Sequence, residues 1–134
     1  MIAASTYEEI ATACRLLELH PTSEVRGITY TTDGAPRLIV LFDNWTEGSV
    51  TMHQWCEHPR YFSRAMLREC FKFAFGDKRT VAIGTVRSDN PAALEVDRKI
   101  GFETACVIPD VYGPGIDLHI LHLRRDKCRW YKSC

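Results

Sequence analysis

Apolar residues recur along this chain in two rhythms, one suited to helices and one to strands. Ile10, Ala13, Cys14 and Leu17 follow one another at helical spacing. Ahead of them, Ser5-Thr6-Tyr7-Glu8 reads as a capping box with Ser5 as the N-cap and Glu8 three residues on. Pro21 stops this helix, and residues 2–4 before it fit a short first strand. Residues 27–32 and 37–42 are β-rich and flank Asp33-Gly34, a hairpin turn signal. Residues 38–42 are apolar on both faces, as a central strand is. Asp43-Asn44 and Glu47-Gly48 frame a second turn, and residues 49–57 read as the third long strand of an antiparallel meander.

The second half switches period more often. His58-Pro59 breaks the strand, and a helix is expected to begin near Tyr61. Phe62, Met66, Cys70, Phe73 and Ala74 form its apolar stripe, Arg64, Arg68 and Lys72 recur on another face, where Arg68 and Lys72 read as solvated, and Gly76 is its C-cap. Residues 80–86 are a strand. Asn90-Pro91 opens the next helix, with Asn as cap and Pro at the first helical position, and Gly101 ends it. Residues 102–108 and 116–123 are the last strands, joined by a turn-rich stretch over 109–115. A strand–helix–strand crossover beside a meander implies a mixed sheet. The fold class expected is therefore α/β (α+β), a mixed, mostly antiparallel sheet flanked by helices.

Composition narrows the function classes. A length of 134 residues fits one domain, residues 1–134. Lys plus Arg equals Asp plus Glu, so no global charge announces a nucleic-acid or membrane partner. No apolar run approaches the ~20 residues that span a bilayer, and the N-terminus lacks a basic signal-peptide region; a cytoplasmic location is expected. Six cysteines occur with no CxxC spacing, which predicts reduced thiols, with Cys134 the exposed one. His53 and Cys56 would face opposite sides of a strand, so no metal site is expected there.

One segment resembles a known family. Val86-Arg87-Ser88-Asp89-Asn90-Pro91-Ala92-Ala93, followed by Arg98-Lys99-Ile100-Gly101-Phe102, is similar to the GNAT acyltransferase pattern of Asn, Ala three residues later, then Lys-apolar-Gly-Phe. The order of elements extends the likeness over most of the chain. The length and the Cys-Arg-Trp ending also resemble those of small GNAT-like proteins of phage genomes, for which the location would be the host cytoplasm.

The resemblance implies an N-acetyltransferase that takes acetyl-CoA as acyl donor and an amine of a protein or small molecule as acceptor. It implies a pyrophosphate cradle over residues 58–65, with Arg60, Tyr61, Phe62, Ser63 and Arg64 as contacts. This loop departs from the family in having no glycine. Helix starts bind anions through unpaired N–H groups and the helix dipole, and Arg60 and Arg64 would add charge. Asn90 and Ala93 would line the pantetheine arm, and Trp55 would lie on the strand beside the thioester. Glu57 and His53 on that strand are the candidate bases, since the acceptor amine must lose a proton before it attacks.

Many family members place a Tyr acid seven residues after the Asn; here Asp97 stands there, and Tyr112 is the substitute candidate. The missing glycine and Asp97 leave an alternative, a catalytically inactive GNAT-like binding or accessory module. The basic run 124–132 reads as a surface for single-stranded nucleic acid or an acidic partner, or as a last strand whose Trp130 packs on the core and whose charges face water, and the strand is the reading taken here. A monomer or homodimer is expected.

Overall fold

The computed structural model describes residues 1–131. Its elements in chain order are β1 (Ile2–Ala4), α1 (Tyr7–Leu16), β2 (Arg26–Thr32), β3 (Ala35–Asp43), β4 (Ser49–Cys56), α2 (Arg64–Phe75), β5 (Val81–Arg87), α3 (Pro91–Ile100), β6 (Glu103–Gly113) and β7 (Ile116–Arg124). Single 3-10 turns occupy Pro59–Tyr61 and Arg125–Lys127. The seven strands form one sheet in the order β1-β2-β3-β4-β5-β7-β6. Every pairing is antiparallel except β4 with β5, which the α2 crossover makes parallel.

The two faces carry different layers. α2 and α3 cover one face, where Phe71, Phe75, Phe42, Met66 and Leu121 are fully buried. α1 covers part of the other, over Ile39 and Leu41 of β3 and Trp55 of β4. Residues 38–42 of β3 are buried without a break, as their two-sided apolar pattern requires. Each such side chain contributes about 1.5–3 kcal/mol on burial.

Several boundaries differ from the sequence reading. The N-cap of α1 is Thr6, not Ser5. Thr6 Oγ1 accepts from Glu9 N at 3.1 Å, and Glu9 returns a carboxylate to Thr6 N at 2.8 Å. Ser5 is held by the sheet instead, its N–H donating to Gly27 O and its hydroxyl bonding Thr29. α1 stops at Leu16, because Glu18 turns into the left-handed region (φ 56°) before Pro21 is reached.

α2 starts at Arg64 rather than near Tyr61, because Ser63 caps it and the chain before it is a 3-10 turn. Its buried side adds Leu67, Phe71 and Phe75, while Phe73 stays 39% exposed against Phe42 and Trp45. The stretch over 109–115 is mostly strand: β6 runs to Gly113, with an irregularity where Asp110 takes φ 58°. The C-terminal run is not a last strand. β7 ends at Arg124, and Cys128, Trp130 and Tyr131 pack against the α2/α3-side core.

Candidate active site

The parallel pair β4–β5 is incomplete. Its register runs from Ser49↔Val81 to Met52↔Gly84 and then stops. Beyond that point residues 53–56 stay on β3, and residues 85–87 stay on β7. The strands therefore part, and this section of β4 faces a gap with backbone groups that have no partner in β5. Gly84 stands at the fork. A Cβ there would come within 3.7–3.9 Å of Phe102 and Asp97, so the missing side chain keeps the space clear.

A cavity of roughly 240 Å3 fills the gap and reaches both faces of the sheet. On the α1 face it meets Leu17, Glu18, Leu19, His53, Arg87 and Tyr112. On the helix-covered face it meets Gln54, Phe62, Asn90, Ala93 and Asp97. Neighbouring residues of a strand point to opposite faces, which is why His53 and Gln54 arm the two sides.

Each side holds a hydrogen-bonded pair that includes a titratable group. On the α1 face His53 Nε2 lies 2.8 Å from Asp43 Oδ1, with side chains only 12% and 19% exposed. Asp43 ends β3 and His53 sits one hairpin later, so the register Leu41↔His53 places them diagonally on one face. On the other face Gln54 Nε2 donates to Asp97 Oδ1 at 2.7 Å. Asp97 is 6% exposed on the inner side of α3, and burial pushes its carboxyl up to about 6, against the opposing pull of the Gln54 hydrogen bond. Cys70 also lines the cavity, but burial pushes its thiol up, so it is no thiolate nucleophile at neutral pH.

At the mouth Arg87 forms a two-pronged pair with Asp89, 3.0 Å on each prong, and lies 4.8 Å over the Tyr112 ring. Asn90 caps α3, its Oδ1 accepting from Ala93 N at 3.2 Å, and reaches the cavity wall as well.

The remaining expected residues fall elsewhere. Glu57 lies just past β4, 2.7 Å from Arg37, and outside the cavity lining; the pairing of β3 with β4 brings that guanidinium to it. Trp55 packs into the α1-side cluster, because strand alternation turns it away from α2. Tyr61 sits against Tyr30 at 6.0 Å, and Arg60 rests its guanidinium over the Tyr61 ring. Phe62 reaches the cavity wall.

The turn before α2 uses most of its own N–H groups. Arg60 N donates to His58 Nδ1, Tyr61 N to His58 O, Phe62 N to Pro59 O and Ser63 N to Tyr61 O. Ser63 Oγ accepts from Met66 N. The first-turn N–H groups of Arg64 and Ala65 are left, as a helix start leaves them, and the Arg64 side chain is exposed. Nothing in the local sequence singles out Asp43 or Gln54, and Asp97 stands out only as the residue in place of the family's Tyr acid. Their pairing depends on register across a hairpin and on the inward face of α3, and no local spacing encodes either.

Several solved structures similar to this one are acetyltransferases. The spermidine/spermine N-acetyltransferase SpeG of Vibrio cholerae, in mutant form, superposes with a TM-score of 0.75 over 95% of each chain, at 11% identity. The ribosomal-protein-S18-alanine N-acetyltransferase of Escherichia coli gives 0.68 over 92% of each chain at 15% identity. A protein of the GNAT family from Desulfovibrio desulfuricans gives 0.70 over 92% of this chain and 99% of that one, at 14% identity. This chain has the GNAT fold. No family model and no curated protein matches the sequence itself. The parting of β4 and β5 lies at the middle of the sheet, and the His53–Asp43 and Gln54–Asp97 pairs flank it.

Proposed function

We propose that the protein is an acetyl-CoA-dependent N-acetyltransferase of the cytoplasm, acting on an amine of a protein or small molecule. One observation carries the reading: a cavity runs through the sheet where β4 leaves β5, with a hydrogen-bonded His53–Asp43 pair on one side of it and the buried Asp97, bonded by Gln54, on the other. Acetyl-CoA supplies a thioester carbonyl and a thiolate leaving group. His53, oriented by Asp43, takes the proton of the acceptor amine on the α1 face. Glu57 is held by Arg37 outside the cavity, so the base role is assigned to His53. Unpartnered N–H groups of β4 are positioned to polarise the carbonyl. Asp97 is a stronger acid than a thiol of pKa near ~8.5, so in its protonated form it passes a proton to the leaving sulfur. Tyr112, at the acceptor-side mouth, shapes entry of the amine.

The first turn of α2, with Arg64 and Ala65 N–H groups, holds the pyrophosphate, and Asn90 and Ala93 line the pantetheine arm. SpeG and the S18-alanine enzyme, by their names, act on polyamines and on a protein alanine; both acceptor classes belong in the first assay. Purified protein with acetyl-CoA and a panel of a polyamine, an alanine-ended peptide and a lysine peptide should release free CoA with at least one of them. A second reading, a module that binds without turnover, is favoured by the internally bonded turn over 58–63. Tight acetyl-CoA binding with no CoA release from any amine decides for it.

A further inference from the structure

Cys70 has no part in this reaction, yet it lines the central cavity. It stands on the buried side of α2, a small side chain among Met66, Leu67, Phe71 and Phe75. A free thiol packs as a small hydrophobe, so this turn of the helix leaves room that a Leu or a Phe would fill.

The cavity extends into that room. From the fork at Met52 and Gly84 its lining continues under β4 to Val40 of β3 and to Leu67, Cys70 and Phe71 of α2. Val40 pairs with Gln54, so it lies one strand further from β5 than the fork itself. Val40, Leu67, Cys70 and Phe71 are buried, and Met52 is half-buried between the two helix-side clusters. This end is therefore a closed recess between β4, β3 and α2. The opposite end, beside Asn90 of α3, is exposed.

Polarity divides the two ends as well. On the helix-covered side of the cavity the polar side chains are Gln54, Asn90 and Asp97, and Gln54 is bonded to Asp97 on α3. Beyond Met52, toward Val40 and Cys70, the lining among the described residues is apolar. A polar or charged group would lose its hydration there without a partner, whereas a saturated hydrocarbon chain gains from burial.

Volume limits the length of that chain. An apolar cavity of about 150 Å3 takes a six-carbon ring. The whole cavity here is roughly 240 Å3, and the thioester and the attacking nitrogen need part of it. We propose that the recess between Val40, Met52, Cys70 and Phe71 takes the hydrocarbon end of the acyl group, so that the protein transfers straight-chain acyl groups longer than acetyl, of about four carbons. The assignment rests on the acyl-CoA reading above and specifies its donor. The transfer is otherwise the same. The C–N bond forms as the C–S bond breaks, the amine proton goes to His53, and the leaving thiolate takes the proton of Asp97.

Calorimetric titration of the full chain with acetyl-, butyryl-, hexanoyl- and decanoyl-CoA tests it. Wild type should bind butyryl-CoA about tenfold more tightly than acetyl-CoA, the effect of burying two methylenes. Decanoyl-CoA should bind no better than butyryl-CoA, because the recess is closed. Cys70→Leu fills the recess and should erase most of the butyryl preference. Cys70→Ala, a milder change that covers the case of a Leu variant that does not fold, should raise hexanoyl-CoA affinity relative to butyryl-CoA. Either Cys70 variant, if folded and keeping the wild-type order and spacing of affinities, overturns the recess. So does affinity that climbs steadily to decanoyl-CoA, which places the chain on an open surface. Wild type that binds acetyl-CoA as tightly as butyryl-CoA overturns the recess and leaves the donor reading standing, whereas wild type that binds none of the four removes both.

Discussion

Asp97 is the residue at which folding and chemistry pull apart. Its folded carboxyl titrates near about 6, above the ordinary 3.8, because burial disfavours the charge. The folded state then holds more protons than the unfolded chain between those values, so stability falls as pH rises from about 4 to above 6. Above that window the ionised group costs on the order of 3 kcal/mol. Asp97→Asn removes the cost and keeps an acceptor for Gln54. Denaturant unfolding should show the variant more stable than wild type at pH 8 and nearly equal to it at pH 4, and a gain independent of pH would refute the burial argument. The same change should lower kcat, and wild-type kcat should decline as pH rises past the Asp97 ionisation.

His53 is the second residue-scale test. His53→Gln should lower kcat by about 10²–10⁴, the usual contribution of positioned acid–base catalysis. Asp43→Asn should cost less, and Glu57→Gln should leave the rate unchanged. A slow Glu57→Gln enzyme beside a normal His53→Gln enzyme would return the base role to Glu57.

At the scale of elements, two helix starts carry the binding predictions. Asn90→Ala should destabilise the protein by ~1 kcal/mol through the lost cap. It should also weaken CoA more than Ser5→Ala, a change that breaks a hydroxyl pair far from the cavity. Equal CoA affinities in the two variants would leave Asn90 as a cap alone. At α2, removing both Arg60 and Arg64 should weaken CoA by about an order of magnitude, since each long-range charge near a helix start adds to its anion attraction. Calorimetry that finds the double variant unchanged would place the pyrophosphate elsewhere. The β1–β2 edge gives a purely structural check: Gly27 sits so close to Ser5 that a Cβ would lie 2.5 Å from its hydroxyl. Gly27→Ala should therefore loosen the first strand and lower the melting temperature without altering CoA affinity.

Over the whole molecule, the donor reading predicts a ligand-linked stability. Acetyl-CoA at a hundred times its dissociation constant should add ~2.7 kcal/mol, read as a shift in melting temperature that a non-nucleotide thiol does not produce. The gap that would hold it is a property of the sheet as a unit. β4 is committed to β3 and β5 to β7 by continuous antiparallel ladders, so the parallel contact between them yields first. Among the described residues no helix is long and apolar enough to cross a membrane.

The periods and punctuation of the chain determined the order of elements, the buried course of residues 38–42, the cap at Asn90 and the helix end at Gly101. These depend on neighbours within a few positions, which a sequence displays directly. The capping box slipped by one residue because Ser5 and Thr6 are equivalent locally, and only the pairing of Ser5 with Thr29 on β2 separates them. The lining of the candidate cavity was legible in part: His53 and Asn90 line it, whereas Glu57 and Trp55 are turned away by an ion pair with Arg37 and by strand alternation. The partnerships of His53 with Asp43 and of Gln54 with Asp97 were decided by tertiary structure alone. They join residues 10 and 43 positions apart through strand register and helix packing, and long-range contacts of that kind leave no mark on local composition.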